Sequence, residues 1–400
     1  MAQAVNKSKK RKIFKAFVFV GLVFVLSGMS LVVIDRYLFP KLVAVEWLSK
    51  YKIFKKATEN VVVVNKTEQV TISEEQTISR YSNKSASSVV EILSFGKKME
   101  IKTSSGSAIG EPKIGSGIVV TADGLVATHK SALEDGASKY EVITADGGDY
   151  GAGIVLRDSF SEVILLKMEG AENLSTASFI APEDIKVGAK VVAIGRGENN
   201  AQVVFKSGLV SNFAKSFSIG GPIALSEKLQ GVYFADFEMN DGDSEGLIGS
   251  AVADYNGNVI GILGIRKVAS SQQYYIVPVN YVDEIVDKFI EKGAVPRGAL
   301  GVYYLLLAKE NSLRLADGRE IEKGALVYSP SGQQGLAVLS GSAAEKAGIR
   351  IMDVILSVNG EEVSSDRNLA YLVSKYKPGD EVSLKILREG KETEVKVVLQ

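Results

Sequence analysis

The chain has 400 residues, with 47 basic and 47 acidic side chains, no cysteine and a single histidine, His129. At that length two or three domains are expected rather than one core. The absence of cysteine excludes disulfides, a thiol nucleophile and cysteine-ligated metal, and a lone histidine excludes multi-histidine metal sites.

The zero net charge conceals an asymmetry. Lys7, Lys9, Lys10, Arg11, Lys12, Lys15 and Arg36 stand against one acid, Asp35, so the first 36 residues carry +6 and the remainder carries −6. These basic residues do not alternate with aromatic platforms, which argues against nucleic acid as a partner. They lead directly into Ala16–Ile34, nineteen residues without a charge. As a helix this run spans ~28 Å, close to the hydrocarbon thickness of a bilayer. The expected organisation is a basic cytoplasmic tail at 1–15, a transmembrane helix at 16–34 and an extracytoplasmic remainder, anchored in a cell membrane. A cleaved signal peptide is the alternative, but the apolar run is long and no A-x-A site follows it. A juxtamembrane stalk is expected over 35–84. It contains a short amphipathic helix at Leu42–Phe54 and then an alternating, extended stretch, VVVVNKTEQVTISEEQTIS.

From Val89 to about Ile290, short β-branched runs such as GIVVT, GLVAT, EVILLKM and KVVAIG are separated by Gly, Asp and Asn. That pattern predicts an antiparallel barrel or sandwich. One helix is predicted at 281–292, with Val282, Ile285, Val286, Phe289 and Ile290 on one face. Within this region Asp236, Glu238, Asp241, Asp243 and Glu245 form an acidic run. Asp241 stands where a calcium loop needs glycine, so a solvated loop is expected, with no metal and no cofactor. Ala294–Gly298 reads as a linker. The last hundred residues predict a small αβ unit that closes with two strands joined by a REGK hairpin turn.

Four stretches of the middle region, in order, resemble the HtrA/Deg family of trypsin-like serine proteases. GSGIVVTADGLVAT (115–128) resembles the strand pair leading to the catalytic histidine, and LRDSFSEVILLK (156–167) the segment around the catalytic aspartate. VAIG (192–195) with KSGLVS (206–211), and GLIGSAV (246–252) with NGNVIGI (256–262), are similar to the family's A-I-G, T-S-G-I-V-S and G-N-S-G-G-P-L signatures. The C-terminal region resembles the PDZ domain that follows the protease in this family. It carries LGV (300–302) at the carboxylate-binding loop, then GSAAEKAGI (341–349) and DVILSVNG (353–360). The resemblance implies a mainly β protein: a trypsin-like double six-stranded β-barrel over 85–292, then an α+β PDZ domain over 297–400, behind one N-terminal transmembrane helix. It also implies peptide or C-terminus binding at Leu300, Gly301, Val302 and Tyr304, with the edge of strand 302–306 open to β-augmentation. A homo- or hetero-trimer with HtrA-type proteases is implied as well.

Set against the family pattern, the triad is lost. Ser131 stands at the histidine position, Glu162 at the aspartate position and Ile248 at the nucleophile position. His129 lies two residues early and Ser250 two residues late. A pair rebuilt from them is an alternative route to an active endopeptidase, but a two-residue shift moves a side chain by roughly 5–7 Å. A Ser131–Lys130 dyad is disfavoured because sequence neighbours point apart. The simpler reading of His129 is a surface or strand-end residue without chemistry. A backbone oxyanion nest at Gly246 and Ile248 can survive the loss of the side chains. The expectation is therefore a pseudoprotease that works as a scaffold, regulator or quality-control binder. A further departure is Met352, where the family has glycine before the aspartate; a left-handed backbone there would be strained.

Overall fold

The computed structural model describes residues 15, 18–23, 25–30 and 85–400, except for 97–100, 104–105, 109–110, 181–184, 197–202, 222, 238–245 and 269–270. Residues 18–23 and 25–30 are helical and exposed, and among the described residues no helix is long and apolar enough to cross a membrane. The rest of the expected 16–34 span, the 35–84 stalk and most of the acidic run lie outside the described residues.

Six strands close the first barrel: β1 (Val89–Phe95), β2 (Lys113–Val119), β3 (Leu125–His129), β4 (Lys139–Ile143), β5 (Asp149–Arg157) and β6 (Val163–Met168). Their order around the barrel is β1-β2-β3-β6-β5-β4, and every pairing is antiparallel. The alternation along these strands sorts side chains into two sets. Val90, Val119, Val126, Ile164 and Leu166 pack together among first-barrel residues. Their neighbours Val89, Ile118, Leu125, Val163 and Leu165 join residues of the following strands in one shared core.

Those following strands are β7 (Lys190–Arg196), β8 (Val203–Ser218), β9 (Ala224–Leu225), β10 (Gln230–Phe237), β11 (Ala251–Asp254), β12 (Val259–Val268) and β13 (Ser271–Pro278). All but β9 close a second barrel in the order β8-β10-β13-β12-β11-β7. Val192, Ile194, Val232, Ala251, Ile262 and Val277 supply its share of the core between the barrels. Arg196, 1% exposed, stitches that seam: its side chain donates to Val89 O at 2.7 Å and Ala86 O at 3.2 Å.

Helix α1 (Val279–Lys292) follows, buries Val282, Ile285 and Val286, and stops at Gly293 with φ 67°. Ile290 departs from the predicted apolar face and is 61% exposed. At 100° per residue it lies at the margin of the stripe centred on Val282 and Phe289. Arg297 pins the linker that comes next, bonding Asp158 at 3.3 Å and Glu284 at 3.0 Å and stacking 4.8 Å over Phe160.

The C-terminal unit contains β14 (Tyr303–Leu307), β15 (Gly324–Val327), α2 (Gln334–Ala337), α3 (Ala343–Lys346), β16 (Val354–Val358), α4 (Leu369–Ser374), β17 (Glu381–Arg388) and β18 (Lys391–Val398). Ser342 caps α3 by accepting from Glu345 N, and the Glu345 carboxylate accepts from Gly341 N at 2.6 Å, one residue ahead of the cap. The REGK hairpin forms as expected, with Glu389 at φ 51° and Gly390 at φ 78°. Met352 does hold a left-handed backbone, φ 72°, while 54% exposed. The sheet order is β9-β14-β15-β16-β17-β18. Its first strand is therefore lent by the connection between β8 and β10 of the second barrel.

Candidate functional site

Of the positions expected for the triad, Ser131 and Glu162 lie beside His129, and Ile248 lies in a turn of the second barrel region that bonds to β2. Strand β3 ends at His129, and Lys130–Ala132 form a single 3₁₀ turn that the His129 side chain caps. Nδ1 accepts from Ser131 N at 3.1 Å and pairs with Ser131 Oγ at 2.6 Å. An Nδ1 that accepts a backbone N–H carries no proton, so the ring proton sits on Nε2. Nε2 faces Tyr275 Oη at 3.0 Å and Glu162 Oε2 at 3.9 Å. His129 is fully buried, which corrects the expectation of a surface residue; strand-end it is. Burial depresses its pKa from 6.5 to about 3, with Lys130's charge adding to the effect, so the imidazole is neutral at physiological pH. Burial raises the Tyr275 pKa, and the negative charge of Glu162 raises it further, so that hydroxyl keeps its proton.

Glu162 occupies a turn with φ 64°, and its backbone carbonyl accepts from Lys130 N at 2.8 Å. Lys228 Nζ lies 3.4 Å from Glu162 Oε1 and donates to Ser159 O at 2.7 Å. The carboxylate thus stands between a lysine and a neutral histidine.

On the opposite wall, residues 246–249 form the turn that carries the nucleophile position. Ile248 is 7% exposed and its carbonyl accepts from Ser116 N at 2.9 Å. Gly249, φ 82°, is required by contact as well as conformation: a Cβ there would sit 2.3 Å from both Ser116 O and Thr128 Oγ1. The Gly246 carbonyl accepts from Ser116 Oγ and from Arg196 N at 3.2 Å, so the turn proposed as an oxyanion nest is fixed at both ends. Ser250 is fully buried, its N–H donates to Leu247 O at 3.0 Å, and its Oγ has no partner among the described residues. His129's recorded bonds go to Ser131 and Tyr275, so the rebuilt His129–Ser250 pair is not formed.

The second candidate site is the groove along β14. Gly301 takes φ 84°, and a Cβ on it would lie 2.2 Å from Ser342 Cβ, so the loop packs tightly onto the cap of α3. The strand edge expected to be open is instead paired with β9, in the register Ala224↔Tyr304 and Leu225↔Tyr303. Leu300 N and Gly301 N both donate to Glu227 Oε1, at 2.7 and 2.6 Å, and Val302 N donates to Ser226 Oγ at 3.0 Å. Tyr304, expected at a peptide surface, is fully buried; its hydroxyl donates to Gln230 Oε1 at 2.5 Å and accepts from Ala370 N at 3.3 Å.

Tyr275, Glu227 and Gln230 are the participants that sequence reasoning missed. Each reaches its partner across 70 or more residues, from positions without periodicity or motif.

Two closed six-stranded barrels, followed by a sheet with a backbone N–H loop, define a trypsin-like peptidase fold joined to a PDZ domain. Residues 115–262 match the trypsin-like peptidase domain family and residues 308–399 the PDZ domain family. Over 71% of its length the chain is 33% identical to a probable periplasmic serine endoprotease DegP-like protein of Bartonella henselae, of which it covers 52%. It is 31% identical to a probable periplasmic serine protease do/HhoA-like protein of Haemophilus influenzae, over 72% of this chain and 58% of that one. The chain spans about half the length of these curated relatives. Among solved structures, the HtrA-type protease AlgW with tripeptide superposes with a TM-score of 0.61 at 23% identity, covering 80% of this chain and 97% of that one. The chain belongs to the HtrA family.

Proposed function

We propose that this chain is an HtrA-type pseudoprotease that binds peptides or unfolded envelope proteins through its PDZ groove and acts as a scaffold, regulator or quality-control binder. The observation that carries this reading is the nucleophile turn. Its backbone is kept, Gly249 included, while the side chain at the nucleophile position is the buried hydrocarbon of Ile248. Without a hydroxyl there is no covalent route, and general-base assistance typically worth 10²–10⁴ in rate has nothing to act on. The relatives named as endoproteases make activity the reading to beat.

One contact favours that second reading: Ser131 Oγ lies 2.6 Å from His129 Nδ1. The imidazole concerned has a pKa near 3, several units below the working range of a general base, and its other nitrogen is held by Tyr275. The pair serves as a helix cap rather than as a catalytic dyad. Peptide binding draws support from the PDZ match and from HtrA-type neighbours solved with tripeptide and decapeptide. An extracytoplasmic location is consistent with relatives named periplasmic, and a membrane anchor with the nineteen uncharged residues at 16–34. Assembly into trimers, alone or mixed with active HtrA-type proteases, is part of the same proposal, and cross-linking in membranes reads it out. The function is tested by incubating the full-length chain in mild detergent with unfolded casein. Stable complex formation without fragments is expected. Fragmentation that disappears in Ser131→Ala or Ser250→Ala would establish the endopeptidase instead.

A further inference from the structure

Segment 224–227 lies on the C-terminal sheet as a bound peptide would. β9 runs antiparallel to β14, Ser226 N donates to Val302 O at 3.0 Å, and the chain heads toward the Leu300–Val302 loop. Where a free C-terminus would present its α-carboxylate, Glu227 presents its side-chain carboxylate to two converging N–H groups. The third loop N–H is taken by Ser226 Oγ. Ala224, 5% exposed, packs its methyl into the same core as Leu300, Val302 and Tyr304. Every backbone donor of the loop is therefore satisfied from within the chain.

We propose that Ala224–Glu227 is an internal peptide ligand that holds the PDZ groove closed, displaced by an extended peptide with a free carboxylate and a small side chain opposite Tyr304. This inference rests on the peptide-binding reading of the groove.

The internal ligand is built to be exchangeable. Glu227 Oε1 accepts from Leu300 N, Gly301 N and Ser226 Oγ, while Oε2 is buried and has no partner among the described residues. A carboxylate normally accepts at both oxygens, and an unused buried one carries a desolvation cost. Because the segment is tethered, its effective concentration lies in the range of short linkers, and an incoming peptide must overcome that closed fraction. The contact is also tied to the degenerate catalytic site. Lys228 N donates to Leu225 O at 3.0 Å in one tight turn, which places the Glu162-bound lysine directly after the groove-bound glutamate.

The test uses the full-length chain in mild detergent and a fluorescent free-acid peptide, G-G-P-I-A-L-S-E, copied from residues 220–227. Anisotropy is expected to show weak binding to the wild type and about 10- to 100-fold tighter binding to Glu227→Ala, with Glu227→Gln between them. Hydrogen exchange over residues 299–304 is expected to be about tenfold faster in Glu227→Ala without peptide, and to slow again when peptide is added. Equal, tight binding to wild type and variant would overturn the internal-ligand proposal while leaving the groove a peptide site. Unchanged exchange at 299–304 would overturn it in the same way. Faster exchange in a variant that still binds no peptide would sink the peptide-binding reading, and the displacement proposal with it.

Discussion

Replacing His129 with Gln removes the one imidazole of the chain, and the structure says what this does to the pH dependence of folding. In the folded state the ring is fully buried, its Nδ1 accepts from Ser131, and its pKa is depressed to about 3; unfolded, it returns to about 6.5. Between those values the unfolded chain binds a proton that the folded chain does not, so stability falls as pH drops from 6.5 toward 3 and is unaffected by this group above 6.5. Each pH unit within the window is worth about 1.4 kcal/mol, which gives about 2 kcal/mol lost by pH 5. Of the groups facing the ring, Lys130 adds to the depression, Glu162 lies 3.9 Å away, and Lys228 lies on the far side of Glu162. Tyr275 is neutral and does not titrate in this range. Carboxylates contribute to acid sensitivity as well, so the informative quantity is the difference between wild type and His129→Gln. Urea unfolding at pH 7, 6 and 5 measures it. The variant is expected to be less stable at pH 7, because it loses ring packing, and to close the gap by about 2 kcal/mol at pH 5. Stability curves that stay parallel from pH 7 to pH 5 would refute a neutral buried imidazole.

Three further substitutions have defined outcomes. Met352→Gly relieves a left-handed backbone at an exposed position and is expected to raise stability by about 0.5–1 kcal/mol, seen as a higher Tm in calorimetry. Ser250→Ala removes a buried hydroxyl that has no partner among the described residues; stability is expected to be unchanged or to rise by about 1 kcal/mol, and a loss above that in urea titration would mean that the hydroxyl is bonded. Arg297→Met breaks bonds to Asp158 and Glu284 and leaves the 4%-exposed Asp158 side chain without its cation. A loss of roughly 3 kcal/mol is expected, with faster proteolytic nicking in the 294–298 linker.

Much of the architecture was legible because it rests on local pattern. The short apolar runs at Val89–Ile92 and Val163–Met168 mark strands in the letters, and the alternate facing of a strand then splits each run between the first-barrel cluster and the core shared with the second barrel. The S-x-x-E cap at Ser342 and the hairpin at Glu389–Gly390 are likewise written within four residues. The proposal that Ser131, Glu162 and Ile248 stand at the triad positions rests on spacing from neighbouring glycines, which the letters carry whatever the side chain. Of the two places expected for His129, surface or strand end, only the second holds, because exposure at a strand end depends on what closes over it, and Tyr275 lies 146 residues downstream. Glu227 was invisible for a related reason. A glutamate in a loop is ordinarily solvated, and only the fold brings it to Gly301, 74 positions away. Local pattern specifies strands and turns, whereas occupancy of a groove is settled by long-range docking.

The claim that catalysis is absent is tested most directly by a fluorophosphonate probe, which reacts only with a serine activated by a base and an oxyanion hole. The full-length chain in detergent is treated with the probe, digested and analysed by mass spectrometry, with an active trypsin-like protease treated in parallel. The account predicts labelling of the control and no adduct on any serine of this chain. A stoichiometric adduct on Ser131 or Ser250, lost in the corresponding alanine variant, would contradict it.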